Sequence, residues 1–519
     1  MALHPNRDYV NALISNIEIG CDTGINPLPT ESFEIKNNFS ALRDPVTTSK
    51  LLKSEVEKGY VIGPFPKSPF SIYRVQPLSL AERKYSKKKR LCTDMSSPHD
   101  NDSVPSINSL ISKEDFQLKY VKFDEAISII KTLGRGALLC KADLVDAFKN
   151  LAVRRDLIRF QGVKWKGSYY FWTRLCFGCR SSPFLFNMLS EAIAWILKNN
   201  YDLQHLLFLL DDFLSIDAPG YDAEKSMIAI KHLFKALNLE WAPHKTSGPS
   251  TCLEYLGIII DTIAMECRLP LDKLHRIQEF ISIFLCKTTC TQRELLQVIG
   301  HLVFAAQVLP AGRSFLSRLF TAAYSVKRLN DTVYLSENAK ADLSMWSRFL
   351  NGWNGISLFL DIHETTTCQL ELFTDASGKI GYGGFFQNSW FQGRWDHDKL
   401  NRLDKSVSIS YQELYPIVVA AILWGHEWAQ KRVKFLCDNQ GTVEILCKGS
   451  SSSSDIMKLM RKLTLIAISC NFTFVAEFLP GRNNDIADAL SRFQMDRFRK
   501  LAPNANIHPC QIPSDITML

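Results

Sequence analysis

Two groups of acidic residues in this sequence have the types and spacing to act on phosphate esters. In LLCKADLVDAF, Asp143 and Asp146 follow an apolar run. In HLLFLLDDFLSI, Asp211 and Asp212 sit between two apolar runs. Adjacent carboxylates repel, so holding them together destabilises a fold unless cations bind there. If Asp143 ends a strand beside an Asp211–Asp212 hairpin, three carboxylates meet at one sheet edge. Hard oxygen ligands of that kind suit two Mg²⁺ ions about 3.5–4 Å apart, a pair that stabilises the attacking and leaving oxygens of a phosphoryl transfer. A second group lies late in the chain: Asp375, Glu413, Asp438 and Asp488. Each has a bland explanation. Asp375 opens an Asp-Ala-Ser-Gly turn, Glu413 stands three residues after Ser410 as a capping-box partner, Asp438 is placed to cap a helix, and Asp488 lies within one.

The elements that must position these acids follow from periodicity. Residues 1–55 are polar without a strong period. A helix is expected next, with Thr47 or Thr48 as N-cap and Gly59 as its end, before the extended GPFPKSPF. RKYSKKKR (83–90) has six basic residues in eight and reads as a solvated or phosphate-contacting loop. From 120 to 260 short apolar runs alternate with helical patterns, an α+β rhythm. From about 265 to 350 the pattern is helical, and Thr291 with Glu294 fits a capping box. A second α/β rhythm begins near 369. Its expected order is strand QLELFTD, strand GYGGFF, a strand around Trp390–Trp395, helix SYQELYPIVVAAILWGHEW, strand VKFLCD, two helices, strand FTFVAEF and helix DIADALSRF. The fold class is therefore α+β and α/β, multidomain. The divisions are 1–55 N-terminal extension, 56–264, 265–365 helical, 366–495 and 496–519 tail.

Composition sets the bounds. The 519 residues suggest roughly three domains. With 46% apolar and 22% charged residues, disorder, collagen and coiled coil are excluded as global descriptions. A net charge of +8 is compatible with a polyanion partner. Fourteen cysteines are too sparse for a disulfide scaffold, so reduced thiols and an intracellular setting are expected, without separating cytoplasm from nucleus. No apolar run reaches the roughly 18 residues of a membrane helix, and no signal peptide is expected. Cys176 and Cys179 form a CxxC without a histidine cluster, more simply a tight turn than a metal site. Asp22-Thr23-Gly24 lacks the apolar strand that an aspartic-protease reading needs.

The chain resembles a reverse transcriptase. Asp143-Leu-Val-Asp-Ala-Phe148 is similar to that family's first catalytic motif, and the resemblance makes Phe148 a steric gate against a ribose 2′-OH. Leu175-Cys-Phe-Gly178 through Ser182-Pro183-Phe-Leu-Phe186 is similar to the template- and nucleotide-contacting motif, which implicates Phe177 and Gly178. Leu210-Asp211-Asp212 is similar to the catalytic double Asp, although Leu209 stands where a tyrosine is usual. Arg90-Leu-Cys-Thr-Asp94 resembles the finger strand whose Arg holds the triphosphate. His244-Lys245 and Tyr255-Leu256-Gly257 resemble later palm motifs, making Lys245 a candidate proton donor to pyrophosphate.

The late group resembles a ribonuclease H domain in FTDASGKIGYGGFF, QEL, CDN and PGRNNDIADALSR, with Phe478 where a histidine often stands. The details resemble DIRS-type (tyrosine-recombinase) retrotransposon polymerases, with gypsy-like ones as the neighbouring group. The resemblance implies fingers, palm and helical thumb (56–365), then an RNase H-like domain (366–495). It implies two Mg²⁺, or Mn²⁺, per active site. The early site is Asp143, Asp211 and Asp212; the late one is Asp375, Glu413, Asp438 and Asp488. The implied partners are RNA template, DNA primer, RNA–DNA hybrid and dNTPs, with no membrane and no oligomeric state defined. Lys87, Lys88, Lys89 and Arg90, with Arg293, Arg313 and Arg318 in the thumb, are expected at nucleic-acid or triphosphate phosphates. The alternatives are a catalytically inactive or domesticated nucleic-acid-binding protein and, less favoured, an RNA-product polymerase, against which Phe148 and the RNase H unit both speak.

Overall fold

The computed structural model describes residues 1, 3–82, 89–99, 104–118, 120–121, 123–352, 356–358, 370–396, 408–429, 431–451, 453–470 and 472–513. Lys87 and Lys88 lie outside the described residues. The chain divides into two compact units, Met1–Ile129 with Gly136–Leu253, and Ile130–Arg135 with Glu254–Leu519. No described helix is long and apolar enough to cross a membrane.

In the first unit the sheet that matters for chemistry has four strands. They are β1 (Leu138–Asp143), β2 (Leu206–Leu209), β3 (Asp212–Asp217) and β4 (Ser247–Ser250), in the order β4-β1-β3-β2. Helix α1 (Ser182–Asn200) packs on β2, and α2 (Glu224–Ala236) packs on β1. Pro183 starts α1 where its missing N–H is not needed. Leu185, Leu189, Ile193 and Leu197 recur every four residues and are buried. Each such fully buried side chain stabilises the unit by roughly 1.5–3 kcal/mol.

Residues 1–55, expected as an extension, fold into this unit. Tyr9 donates its hydroxyl to Met188 O at 2.5 Å, and Leu13, Cys21 and Leu52 join the core. The helix expected from Thr47 or Thr48 instead runs Pro45–Glu57. Its N-cap is Asp44, which accepts from Thr47 N at 3.1 Å, because Pro45 fits the first helical position and leaves the preceding acid to cap.

The second unit contains helices α3 (Leu271–Leu285), α4 (Gln292–Ala305), α5 (Ser317–Ala323) and α6 (Glu337–Gly352). The Thr291–Glu294 capping box is formed at α4. A five-stranded sheet follows: β5 (Leu370–Ala376), β6 (Gly381–Phe386), β7 (Ser389–Arg394), β8 (Arg432–Cys437) and β9 (Thr473–Phe478), in the order β7-β6-β5-β8-β9. The first three are antiparallel neighbours. β5, β8 and β9 run parallel. The helices are α7 (Ser408–Trp424), α8 (Gln440–Lys448), α9 (Ser454–Ser469) and α10 (Asp485–Ser491). Of the helical arginines read as phosphate contacts, Arg318 lies instead 4.0 Å from the fully buried Asp342. Burying a carboxylate requires a cation nearby, and Arg318 is one of two that answer it.

Candidate active sites

The register of β1 and β3 places Asp143 directly opposite Asp212. Leu210 and Asp211 form the two-residue turn between β2 and β3, so Asp211 adjoins the pair. Leu144 N donates to Asp211 O at 3.1 Å, tying the turn to the end of β1. Leu210 has φ +55° and Asp146 φ +48°, left-handed conformations uncommon for non-glycine residues. Two such residues flanking three acids is the pattern of backbone strain stored at a working site.

The electrostatics are those of a cation cradle. Asp143 is 4% exposed. Lys245 Nζ grips both its oxygens at 2.7 and 2.8 Å. Asp212 lies 3.6 Å from Lys141 Nζ. Burial, reinforced by Asp143 and Asp211 and opposed by Lys141, pushes the Asp212 carboxyl up to about 6. Its buried Oδ1 has no hydrogen-bond partner. A buried carboxylate oxygen that accepts no hydrogen bond and meets Lys141 Nζ only at ion-pair distance, beside two more acids, fits a hard divalent ion with oxygen ligands.

Around this cradle, Phe148 lies in a 3₁₀ turn just after Asp146, its ring 5.1 Å from Phe177 and 5.7 Å from Phe186. Arg90 lies in the strand Lys89–Thr93, with its guanidinium 5.2 Å from the Phe177 ring. Thr93 N donates to Phe177 O at 3.1 Å. Gly178 has φ +107°, and a Cβ there would sit 1.8 Å from Thr93 O, so only glycine lets the loop lie against the strand Lys89–Thr93. The CxxC is the tight turn expected, with Cys176 and Cys179 buried and free.

The second cluster gathers at the ends of the parallel strands. Asp375 is in β5, Asp438 just after β8, Glu413 in α7 and Asp488 in α10. Asp438 does not cap α8; Asn439 does, accepting from Thr442 N at 2.8 Å. Ligand atoms of Glu413, Cys437 and Asp438 lie within 4.8 Å of one another. Burial, then Asp375 and Asp438, push Glu413 up to about 9. Burial pushes Asp375 up to about 6, its Ser491 hydrogen bond pulling the other way and Asp438 and Asp488 adding to the rise. Asp488 differs. Burial would raise it, but Arg492 at 2.5 Å and Arg497 at 2.6 Å hold it below the usual range. Three crowded carboxyls that resist ionisation fit a divalent cation. The soft sulfur of Cys437, 3.9 Å from Glu413 Oε2, is a poor ligand for Mg²⁺.

The residues missed at sequence level are Lys141, Lys149, Cys437, Ser491 and Arg497. Of these Lys141, Cys437 and Ser491 stood inside quoted motifs, and none has a spacing that marks it.

Residues 66–260 match the family model for reverse transcriptase (RNA-dependent DNA polymerase). No curated protein matches the chain. Similar solved structures are of the foamy viral protease-reverse transcriptase. The dRH form in complex with double-stranded DNA is 14% identical, covering 89% of this chain and 74% of that one, with a TM-score of 0.49. The complex with RNA/DNA hybrid is 15% identical, covering 89% and 57%, with a TM-score of 0.48. The complex with double-stranded DNA is 15% identical, covering 88% and 87%, with a TM-score of 0.46. Residues 66–260, which carry Arg90, Asp143, Phe148, Phe177, Gly178, Asp211, Asp212 and Lys245, thus form a reverse transcriptase domain.

Proposed function

We propose that this chain copies RNA into DNA by two-metal nucleotidyl transfer and cleaves the RNA of the resulting hybrid at its late acidic cluster, as a retrotransposon polymerase of DIRS type or, failing that, gypsy-like type. The observation that carries the polymerase reading is the Asp143–Asp212 cross-strand pair with Asp211 in the adjoining turn. Asp143, Asp211 and Asp212 would hold two Mg²⁺, which supply neutralisation of the triphosphate and activation of the primer 3′-hydroxyl. The protein's own part is positioning. Phe148, braced by Phe177 and Phe186, walls off the space a ribose 2′-OH would need. Arg90, on a strand hydrogen-bonded to the Phe177 loop, is placed to take a triphosphate oxygen. The proton-donor role expected of Lys245 requires its ammonium to leave Asp143, to both of whose oxygens it donates.

The RNase H reading is supported by the strand order β7-β6-β5-β8-β9 and by four acids on β5, α7, the end of β8 and α10. Asp375, Glu413, Asp438 and Asp488 would hold the ions that activate a water.

The test is extension of a DNA primer on an RNA template with Mg²⁺ and dNTPs, followed by sizing of the template. Asp211→Asn is expected to lose extension by roughly a hundredfold or more while cleaving a preformed hybrid. Asp438→Asn is expected to do the reverse. Extension undiminished in Asp211→Asn would overturn the early assignment; cleavage undiminished in Asp438→Asn would overturn the late one.

A further inference from the structure

Lys149 has no part in the chemistry above, yet it is the least expected side chain near it. It is 5% exposed, and its Nζ is buried without a hydrogen-bond partner. The ammonium sits 3.4 Å from the centroid of Trp172 and 6.0 Å from that of Phe177. A desolvated, unsatisfied ammonium destabilises a fold, and a methionine would fill the same space without that penalty. What the charge faces is therefore informative. Phe177 lies between two cations, Arg90 at 5.2 Å and Lys149 at 6.0 Å, and its ring abuts Phe148. Its backbone is pinned to the strand that carries Arg90. Lys149 thus holds positive charge beneath the aromatic wall of the nucleotide pocket, where water does not screen it.

We propose that Lys149 is a positioning and specificity residue for the incoming deoxynucleoside triphosphate, acting through Phe177 by a cation–π contact and by its unscreened charge on the polyphosphate. This rests on the polymerase reading above. Lys149 sets how tightly the nucleotide is held, not how fast it reacts.

Burial holds the Lys149 ammonium down to about 8, while Cys176, Glu55, Asp146 and Cys92 work to keep the proton on. Asp146 is itself held by Lys58 at 2.6 Å, and Arg90 is the other cation facing Phe177. The charge is accordingly present below pH 8 and lost above it.

The experiment measures KM and kcat for dTTP on primed RNA at pH 6.5, 7.5 and 9 for wild type, Lys149→Met, Lys149→Arg and Trp172→Leu. Alongside, dTTP binding to enzyme on a dideoxy-terminated primer–template is measured, with a melting curve for each variant. In wild type, KM is expected to rise between pH 7.5 and 9. Lys149→Met is expected to show roughly a five- to tenfold higher KM at pH 7.5, kcat within about twofold, and no further rise with pH. Lys149→Arg restores the low KM and keeps it at pH 9. Trp172→Leu, which removes the ring under the ammonium, raises KM like Lys149→Met. An unchanged KM in Lys149→Met, a fall in kcat instead, or wild-type pH dependence surviving in Lys149→Met would overturn the proposal. If wild type fails to extend at all, the polymerase reading falls. The ratio of dTTP affinities between wild type and Lys149→Met still decides the role of Lys149.

Discussion

Glu413 is 6% exposed and is pushed by burial, Asp375 and Asp438 up to about 9. A carboxyl whose pKa is higher folded than unfolded holds its proton more tightly in the native state. Its stabilising effect is full below the unfolded value near 4.5 and is lost as pH rises through about 9. Without divalent ions, the second unit is expected to lose up to about 1.4 kcal/mol per pH unit from this group over that window. Glu413→Gln should flatten the slope, as urea midpoints at pH 6 and 9 would show. At the early site, Phe148→Val should open the wall that Phe177 and Phe186 brace, and the preference for dTTP over UTP should fall by roughly tenfold or more, read from single-nucleotide incorporation. The seven acids were legible because each lies in a motif with recognisable neighbours. Lys149, Lys141 and Arg497 were not, since their roles depend on which face of a turn or helix meets a distant ring or carboxylate. The Arg497 pairing with Asp488, for example, spans a helix end that periodicity alone does not place.

Among the elements, the hairpin of β2 and β3 was readable from two apolar runs around paired acids. The sequence alone could not say that Asp212 would begin the strand while Asp211 stayed in the turn. That follows from a two-residue loop with Leu210 at positive φ. The Thr291 cap was legible from its box; the helix at Pro45 was misread because proline at the first helical position outweighs a threonine two residues later. The Gly178 loop carries its own prediction. Gly178→Ala would force a Cβ against Thr93 O and leave a positive φ on a chiral residue. The strain is expected to destabilise the first unit by about 1–3 kcal/mol and to shift Phe177 and Arg90 apart. The checks are a denaturation midpoint and the KM for dTTP, both of which should worsen.

At the scale of the molecule, the broad α+β and α/β order was legible, but the contacts that hold the second unit together were not. Asp342 of α6 is fully buried and is met by Arg461 of α9 at 2.5 Å, 119 residues away in sequence. Burial would raise this carboxyl, and Arg461 and Arg318 oppose that rise. Removing one partner leaves a buried charge uncompensated. Arg461→Ala is therefore expected to destabilise the second unit by about 3–5 kcal/mol. The loss should show in denaturant unfolding and should leave the early carboxylates untouched. If primer extension by the purified variant at low temperature fell as far as RNA cleavage, the separate sites proposed for extension and cleavage would be refuted.

The pairing of Asp143 with Asp212 also limits how the gene can drift in length. Side chains alternate across a strand, so one codon gained or lost between Phe208 and Phe213 would turn every later residue of β3 to the opposite face, burying what must bind and exposing what must pack. At Ser450 and Ser451, polar residues just past the end of α8, the same change would only lengthen a loop. Homologous chains should therefore carry their insertions and deletions there and keep the distance from Leu209 to Asp212 invariant.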